Sequence, residues 1–359
     1  MMIKIGKNKI IFPDSIIVLL TSILLIFCYE NTDLIFNKNS KDGFLNAKAI
    51  YDGNNCSLKE KNDECIKKLI KDSTQKKNIL FLGNSQLGAI NNYSIGDYNF
   101  VTLLSNDNFL TTKDIVIHSI WAPNASIKEF AAIRNGLIAC NADPELLIIP
   151  LFLDDTREDS IRDYIKDFSE KSCSSPVQKK SNSGKFFSNV DNLDKLIREN
   201  LTFLKYIQSL NTKLRTDLYR IRNFVFRIRP DSIRPIKKSS YKANIDALEK
   251  ILYSRSTKEL ETIVYIPPLL YSKSEKKIPY SREDYESFKE SINKICLRYN
   301  CKFYNLESEV ADELWGTKLT TNINMSSSKE EIDFMHFTGK GHLKLKEAFF
   351  LILKNKYDF

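Results

Sequence analysis

The sequence predicts an α/β protein built on a mostly parallel, doubly wound sheet. Three observations lead there. Short apolar runs, Ile79–Leu82, Ile115–Trp121, Leu146–Leu153 and Thr262–Ile266, read as strands covered on both faces. Helical spacing lies between them, as in Ser126–Asn141 through Ile127, Phe130, Ile133 and Leu137. Finally, Ser85, Asn124, Asp154 and Pro267 each fall just past the carboxyl end of a run, the edge where such sheets place their sites.

The elements follow in order. Lys4, Lys7 and Lys9 precede a mostly apolar stretch, Ile10–Tyr29, interrupted at Pro13 and Asp14. About 20 such residues suffice to cross a bilayer as a helix. The lysines assign residues 1–9 to a cytoplasmic tail. Phe27, Cys28, Tyr29 and Glu30 offer no small-residue cleavage site, so 10–29 reads as an uncleaved transmembrane signal anchor, with a cleaved signal peptide as the alternative. The chain is then a single-pass membrane protein whose bulk is extracytoplasmic, in the periplasm or at the cell exterior.

Residues 30–77 are polar and read as a linker with a short helix near Asp63–Lys71. The α/β domain runs from 78 to 359. It opens with strand Ile79–Leu82, helix Gln86–Asn91, strands Phe100–Leu104 and Ile115–Trp121, helix Ser126–Asn141 and strand Leu146–Leu153. The rhythm then stops. Residues 156–240 are polar and basic, with a low-complexity stretch at Ser172–Ser183 and a helical pattern over Leu193–Phe226. This reads as an inserted helical lid; an amphipathic helix packed on the sheet is the plainer alternative. Helix Ala243–Tyr253, strand Thr262–Ile266, helix Glu283–Tyr299 and strand Lys302–Asn305 resume the pattern. Asp333–Lys340 reads as a loop and His342–Lys354 as the last helix.

Composition narrows the function classes. The 359 residues suffice for a sizeable core. Lys and Arg number 54 against 45 Asp and Glu, a net charge of +9 spread along the chain, which suits an anionic membrane or envelope polymer as well as nucleic acid. No C-x-x-C pair and no aromatic-basic ribonucleoprotein motif occurs, so no nucleic-acid partner is expected. Metal-ligating residues are too dispersed for a metal site, and no cofactor is expected. Cys56 with Cys65, and Cys296 with Cys301, are spaced for disulfides outside the cytoplasm, whereas Cys140 reads as a core thiol.

Two short segments carry the chemistry. Gly83-Asn84-Ser85-Gln86 follows the first apolar run, and Asp333-Phe334-Met335-His336 precedes the last helix. A serine at a sharp turn needs a base and a group to orient it, and Asp-x-x-His supplies both. Ser85 is the expected nucleophile, His336 the base and Asp333 its orienter, with Gly83 allowing the chain to turn tightly after the strand. Only two other histidines exist: His118, within a predicted strand, reads as a core residue, and His342 as a cap or surface residue.

These two blocks resemble those of the SGNH (GDSL-like) hydrolase superfamily, which places its serine after the first strand and Asp-x-x-His before the last helix. The resemblance covers roughly residues 78–155 and 243–355. It implies a flavodoxin-like three-layer α/β/α sandwich, with Ser85, His336 and Asp333 as the triad. It also implies that the turns at Trp121-Ala122-Pro123-Asn124 and Leu153-Asp154-Asp155 serve the oxyanion and substrate, through Asn124 and Asp154 together with Gly83. These turns differ from the family's glycine and Gly-x-Asn-Asp blocks, and an ionised aspartate accepts hydrogen bonds but cannot donate one. An anchor joined to relaxed middle blocks is similar to the SGNH-like partners of membrane-bound O-acyltransferases. The expected activity is therefore serine-dependent acyl-ester hydrolysis or O-acyl transfer on a cell-envelope or secreted glycan. The alternative is a catalytically silent accessory protein binding a membrane acyltransferase or glycan.

Overall fold

A computed structural model describes residues 2–5, 8–11, 47–49, 54–59, 63–73, 77–171, 235–253, 261–270, 280–319 and 330–357. The chain divides into two compact units, Met1–Asp42 and Gly43–Phe359. In the first, strands β1 (Met2–Ile5) and β2 (Asn8–Ile11) pair antiparallel. Ile10 and Ile11, expected to open the membrane helix, thus lie in a strand; the rest of that segment falls outside the described residues. Among the described residues no helix is long and apolar enough to cross a membrane.

The second unit begins with strands β3 (Ala47–Ala49) and β4 (Asn55–Ser57) and helix α1 (Asp63–Ser73). Strand β5 (Lys77–Gly83), a 3-10 turn (Ser85–Leu87) and strand β6 (Ala89–Asn91) follow. Helices α2 (Phe100–Ser105) and α3 (Asn108–Thr112) precede strand β7 (Ile115–Trp121), helix α4 (Ile127–Ala139) and strand β8 (Leu146–Pro150). After a 3-10 turn (Leu153–Thr156) come α5 (Asp163–Lys171), α6 (Lys238–Tyr253), β9 (Glu261–Ile266), α7 (Arg282–Tyr299) and β10 (Lys302–Asn305). Strands β11 (Trp315–Leu319) and β12 (Glu330–Phe337) pair antiparallel before α8 (Gly339–Lys356).

Six strands form one parallel sheet in the order β4-β7-β5-β8-β9-β10. Counting β5 as first, the last five run 2-1-3-4-5, the flavodoxin-like order, with β4 added at one edge. Strand alternation sorts the core into two layers. Leu80 and Leu82 of β5 face α1, α4, α6 and α7, packing with Leu69, Phe130, Leu248 and Phe288. Ile79 and Phe81 face α2 and α8, packing with Phe100, Leu104 and Phe349. Phe349 meets the rings of Phe81 and Tyr265 edge-on at 5.1 and 4.8 Å. The doubly wound parallel sheet is therefore observed.

Several elements differ from expectation. Phe100–Leu104 is helix, not strand. Asn99 accepts from the Thr102 N–H at 2.9 Å and caps it, and a short apolar run does not by itself separate helix from strand. The helix expected over Gln86–Asn91 is one 3-10 turn followed by β6. Gly88 sits against the Trp121 indole, so close that a Cβ there would lie 2.2 Å from Cε2. Asp333–Phe337, expected as loop, belongs to β12; its partner β11 was hidden by the mixed run Trp315-Gly316-Thr317-Lys318. Within the stretch read as linker, β4 lies at the sheet edge, and Cys56 and Cys65 form a disulfide tying it to α1. Cys296 and Cys301 form a second disulfide, and Cys140 is disulfide-bonded rather than a free core thiol. Of the expected lid, α5 and the start of α6 are described; residues 172–234 fall outside the described residues.

Candidate active site

Strand β5 ends at Gly83, beside Pro150 at the end of β8. A Cβ on Gly83 would lie 2.5 Å from Pro150 Cγ. The glycine is therefore needed for this approach, not for a turn with positive φ, which among the described glycines only Gly96 adopts. The turn is made by the next residue. Asn84 caps it, its Oδ1 accepting from the Gln86 N–H at 3.1 Å, while Leu87 N–H donates to Asn84 O and Gly88 N–H to Ser85 O. This leaves Ser85 partly exposed at the carboxyl edge of the sheet, between buried Asn84 and Gln86.

Strand β12 brings the second segment. Its register slips against β11: two steps from Thr317 to Trp315 face five from Ile332 to Phe337. The extra residues bulge, as functional strands often do. The bulge lets residues three apart, which would otherwise point to opposite faces, share one side. Asp333 Oδ1 accepts from the Met335 N–H at 3.0 Å and closes it.

The bulge carries His336 to Ser85. Ser85 Oγ and His336 Nε2 lie 3.0 Å apart, and His336 Nδ1 lies 2.8 Å from Asp333 Oδ2. A carboxylate accepts only, so Nδ1 carries the proton and Nε2 offers its lone pair to the serine hydroxyl. Asp333 is 1% and His336 6% exposed. Burial alone raises the Asp333 pKa, but the hydrogen bond and charge of His336, the Met335 N–H and Lys318 together hold it below the ordinary carboxylate value. Asp333 therefore stays ionised and keeps the imidazole in the tautomer a general base needs.

Two amides that the sequence did not single out brace this line. Gln86 Nε2 donates to Pro268 O at 3.0 Å and to Met335 O at 3.1 Å, tying the serine turn to the end of β9 and to the histidine bulge. Asn91 Nδ2 donates to Asp333 Oδ2 at 3.0 Å. Their partners lie 182 to 249 residues away, so no local pattern could have found them.

The remaining predicted residues lie on neighbouring turns, the first just past Trp121, which pairs with Gly83. Asn124 is exposed, with left-handed backbone (φ 51), and makes no side-chain hydrogen bond to Ser85 or His336. Its turn is held from the insertion: Arg162 donates to Pro123 O at 2.7 Å and to Glu129 Oε1 and Oε2 at 2.8 and 2.7 Å. Asp154 pairs with Arg157 at 3.4 Å. It is Asp155 that reaches the serine turn, taking the Phe152 N–H at 2.9 Å and facing Asn84 Nδ2 at 3.3 Å. Burial raises the Asp155 pKa well above its ordinary value, against the hydrogen bonds of Phe152 and Asn84. His118 is buried beside Asp72, 3.0 Å away, and His342 is wholly buried rather than at the surface. Among the described residues no three His, Cys, Asp or Glu side chains gather as a metal site.

No family model matches the chain, and no curated protein does. Among solved structures, the native aryl esterase of M. smegmatis is 10% identical, covering 78% of this chain and 99% of its own, with a TM-score of 0.38. A structure assigned as a GDSL-like lipase from Parabacteroides merdae is 11% identical over 76% of this chain and 93% of its own (TM-score 0.37). One assigned as an acylhydrolase from Bacteroides fragilis is 11% identical over 81% and 96% (TM-score 0.32).

Proposed function

We propose that this chain performs serine-dependent acyl-ester chemistry, as a hydrolase or O-acyltransferase acting on acyl groups of a cell-envelope or secreted glycan. One observation carries the reading: the unbroken line Ser85 Oγ–His336–Asp333, at 3.0 and 2.8 Å. Ser85 Oγ attacks the ester carbonyl while its proton passes to His336 Nε2. Asp333 holds Nδ1–H and stabilises the imidazolium. The carbon–oxygen bond to the leaving alcohol breaks, and the alkoxide takes the proton from Nε2. An acyl-serine remains. Water, or an acceptor hydroxyl, gives its proton to His336 as it attacks; the bond from the acyl carbon to Ser85 Oγ then breaks, Oγ takes the proton back from Nε2, and the acyl group leaves as acid or as a new ester.

The envelope part rests on other features. The basic-flanked apolar segment at residues 10–29 supports a membrane anchor, and the disulfides support an oxidising, extracytoplasmic compartment. The resemblance to SGNH-like partners of membrane-bound O-acyltransferases supports a glycan acceptor and such a partner. The second reading, a silent accessory protein, is favoured by one fact. Asp154 is paired with Arg157 and as a carboxylate cannot donate to an oxyanion, so the enzyme reading relies on the Ser85 backbone N–H and Asn124 as donors.

Labelling by a fluorophosphonate separates the readings. The wild type should label, Ser85→Ala should abolish labelling, and His336→Ala should slow it by about 10⁴-fold. A wild type that does not label, or a Ser85→Ala variant that labels unchanged, sinks the enzyme reading.

A further inference from the structure

We propose that Asn91 is a fourth member of the acid–base line, a positioning residue that acts on His336 through Asp333. The inference rests on the serine reading above. Asn91 ends β6 and is 0% exposed. Its Nδ2 donates to Asp333 Oδ2 at 3.0 Å, the same oxygen that meets His336 Nδ1 at 2.8 Å. The other oxygen takes the Met335 N–H at 3.0 Å. Among the described residues the carboxylate is thus held by three donors, of which Asn91 alone comes from outside the bulge.

The orientation of the amide follows from the chemistry. Turned over, its oxygen would face a carboxylate oxygen, two acceptors in contact. As placed, Asn91 Oδ1 is buried with no hydrogen-bond partner among the described residues. A buried amide with one end unsatisfied weakens a fold unless its other end is needed. The surroundings fix it in this pose. Gly316 of β11 lies against it, so close that a Cβ there would be 2.0 Å from Asn91 Cγ and 2.4 Å from Oδ1. Only a glycine at 316 leaves the amide its place beside Asp333.

The consequence concerns charge. A donor on Asp333 Oδ2 draws negative charge from the oxygen that faces the imidazole. Removing it makes that oxygen a stronger partner for imidazolium. The acid limb of the reaction should therefore move upward when Asn91 is lost. A residue that only supported packing would lower the rate equally at every pH.

The test uses the full chain and the rate of fluorophosphonate labelling of Ser85 as a function of pH. Asn91→Ala should slow labelling at neutral pH by about 10-fold, since a hydrogen bond to a charged group is lost. Its acid limb should rise by about half a pH unit or more. Asn91→Leu, which fills the space without a donor, should show the same shift and covers the case in which the alanine variant does not fold. A labelled wild type with an unmoved limb in the folded variants overturns this inference alone. A wild type that never labels overturns the serine reading and this inference with it.

Discussion

His342 takes no part in the proposed chemistry, yet it is fully buried between two backbone groups. Nδ1 accepts from the Phe100 N–H at 3.3 Å, and Nε2 faces Ala89 O at 3.1 Å, so Nε2 carries the proton. One neutral ring thus satisfies an otherwise unpaired amide of α2 and a carbonyl of β6. A protonated ring could not accept from Phe100. Burial, with His336 nearby and against the Ala89 hydrogen bond, lowers its pKa to about 3. The unfolded chain takes up that proton near pH ~6.5. Between these values the unfolded state binds more protons, so stability rises with pH. The His342 contribution is whole above about pH 6.5 and is lost as the pH falls toward 3, at up to ~1.4 kcal/mol per unit. His342→Gln keeps one donor and one acceptor but does not titrate. Urea midpoints at pH 7, 5.5 and 4.5 should fall less steeply for the variant. Parallel curves would show that the ring is not held neutral. Ser85, Asp333 and His336 stand out in the sequence because one of only three histidines, with an aspartate three residues before it, and a Gly-Asn-Ser turn each fall at an element end. Asn91, Gln86 and His342 do not, because each has its meaning only through partners far along the chain.

At the scale of elements, the parallel strands were legible because burial on both faces demands unbroken hydrocarbon, as in Leu146–Ile149. The elements around the site were less so. Strand β12 is recognisable only once paired, and its bulge reads as loop because Asp333–His336 leave the ladder. Gly83 has a structural reason other than the expected one. The sequence suggests a turn, but here the Pro150 side chain of β8 occupies the space a Cβ would take, beside the nucleophile. Gly83→Ala should cost about 1–3 kcal/mol by overpacking against Pro150 and Leu87. It should also slow Ser85 labelling, since the strand end sets the serine's position. Pro150→Ala in the same chain opens the space and should restore much of both. A cycle of the two variants, read by urea unfolding, should show coupling of about 0.5 kcal/mol or more. Additive effects would mean that Pro150 is not what excludes a side chain from this position.

The whole molecule poses a question of boundary, because a reading by composition starts the domain at residue 78. The segment before it is polar, and polar segments ordinarily link. Yet Asn55 is fully buried, and its Oδ1 accepts from Ser119 Oγ and Trp121 Nε1, both at 2.7 Å. Leu58 and Leu69 are also buried, in the layer under Leu80 and Leu82. The Cys56–Cys65 disulfide, with Cα atoms 5.6 Å apart, holds the two pieces together. A three-residue strand fixed by side-chain hydrogen bonds leaves no periodic apolar trace, which is why composition misses it. The path from this edge to the site is short: Asn55 fixes Trp121, and Trp121 packs on Gly88, one turn beyond Ser85. Burying a leucine is worth ~1.5–3 kcal/mol, so Leu58 and Leu69 together contribute about 3–6 kcal/mol. That is a large part of the ~5–15 kcal/mol typical of a whole domain. A chain of residues 43–359 should therefore unfold cooperatively and label at Ser85. One of residues 77–359 should unfold at much lower urea, or fail to fold, and label slowly. Equal midpoints and equal labelling rates for the two would make the edge strand an ornament on a domain that begins at β5.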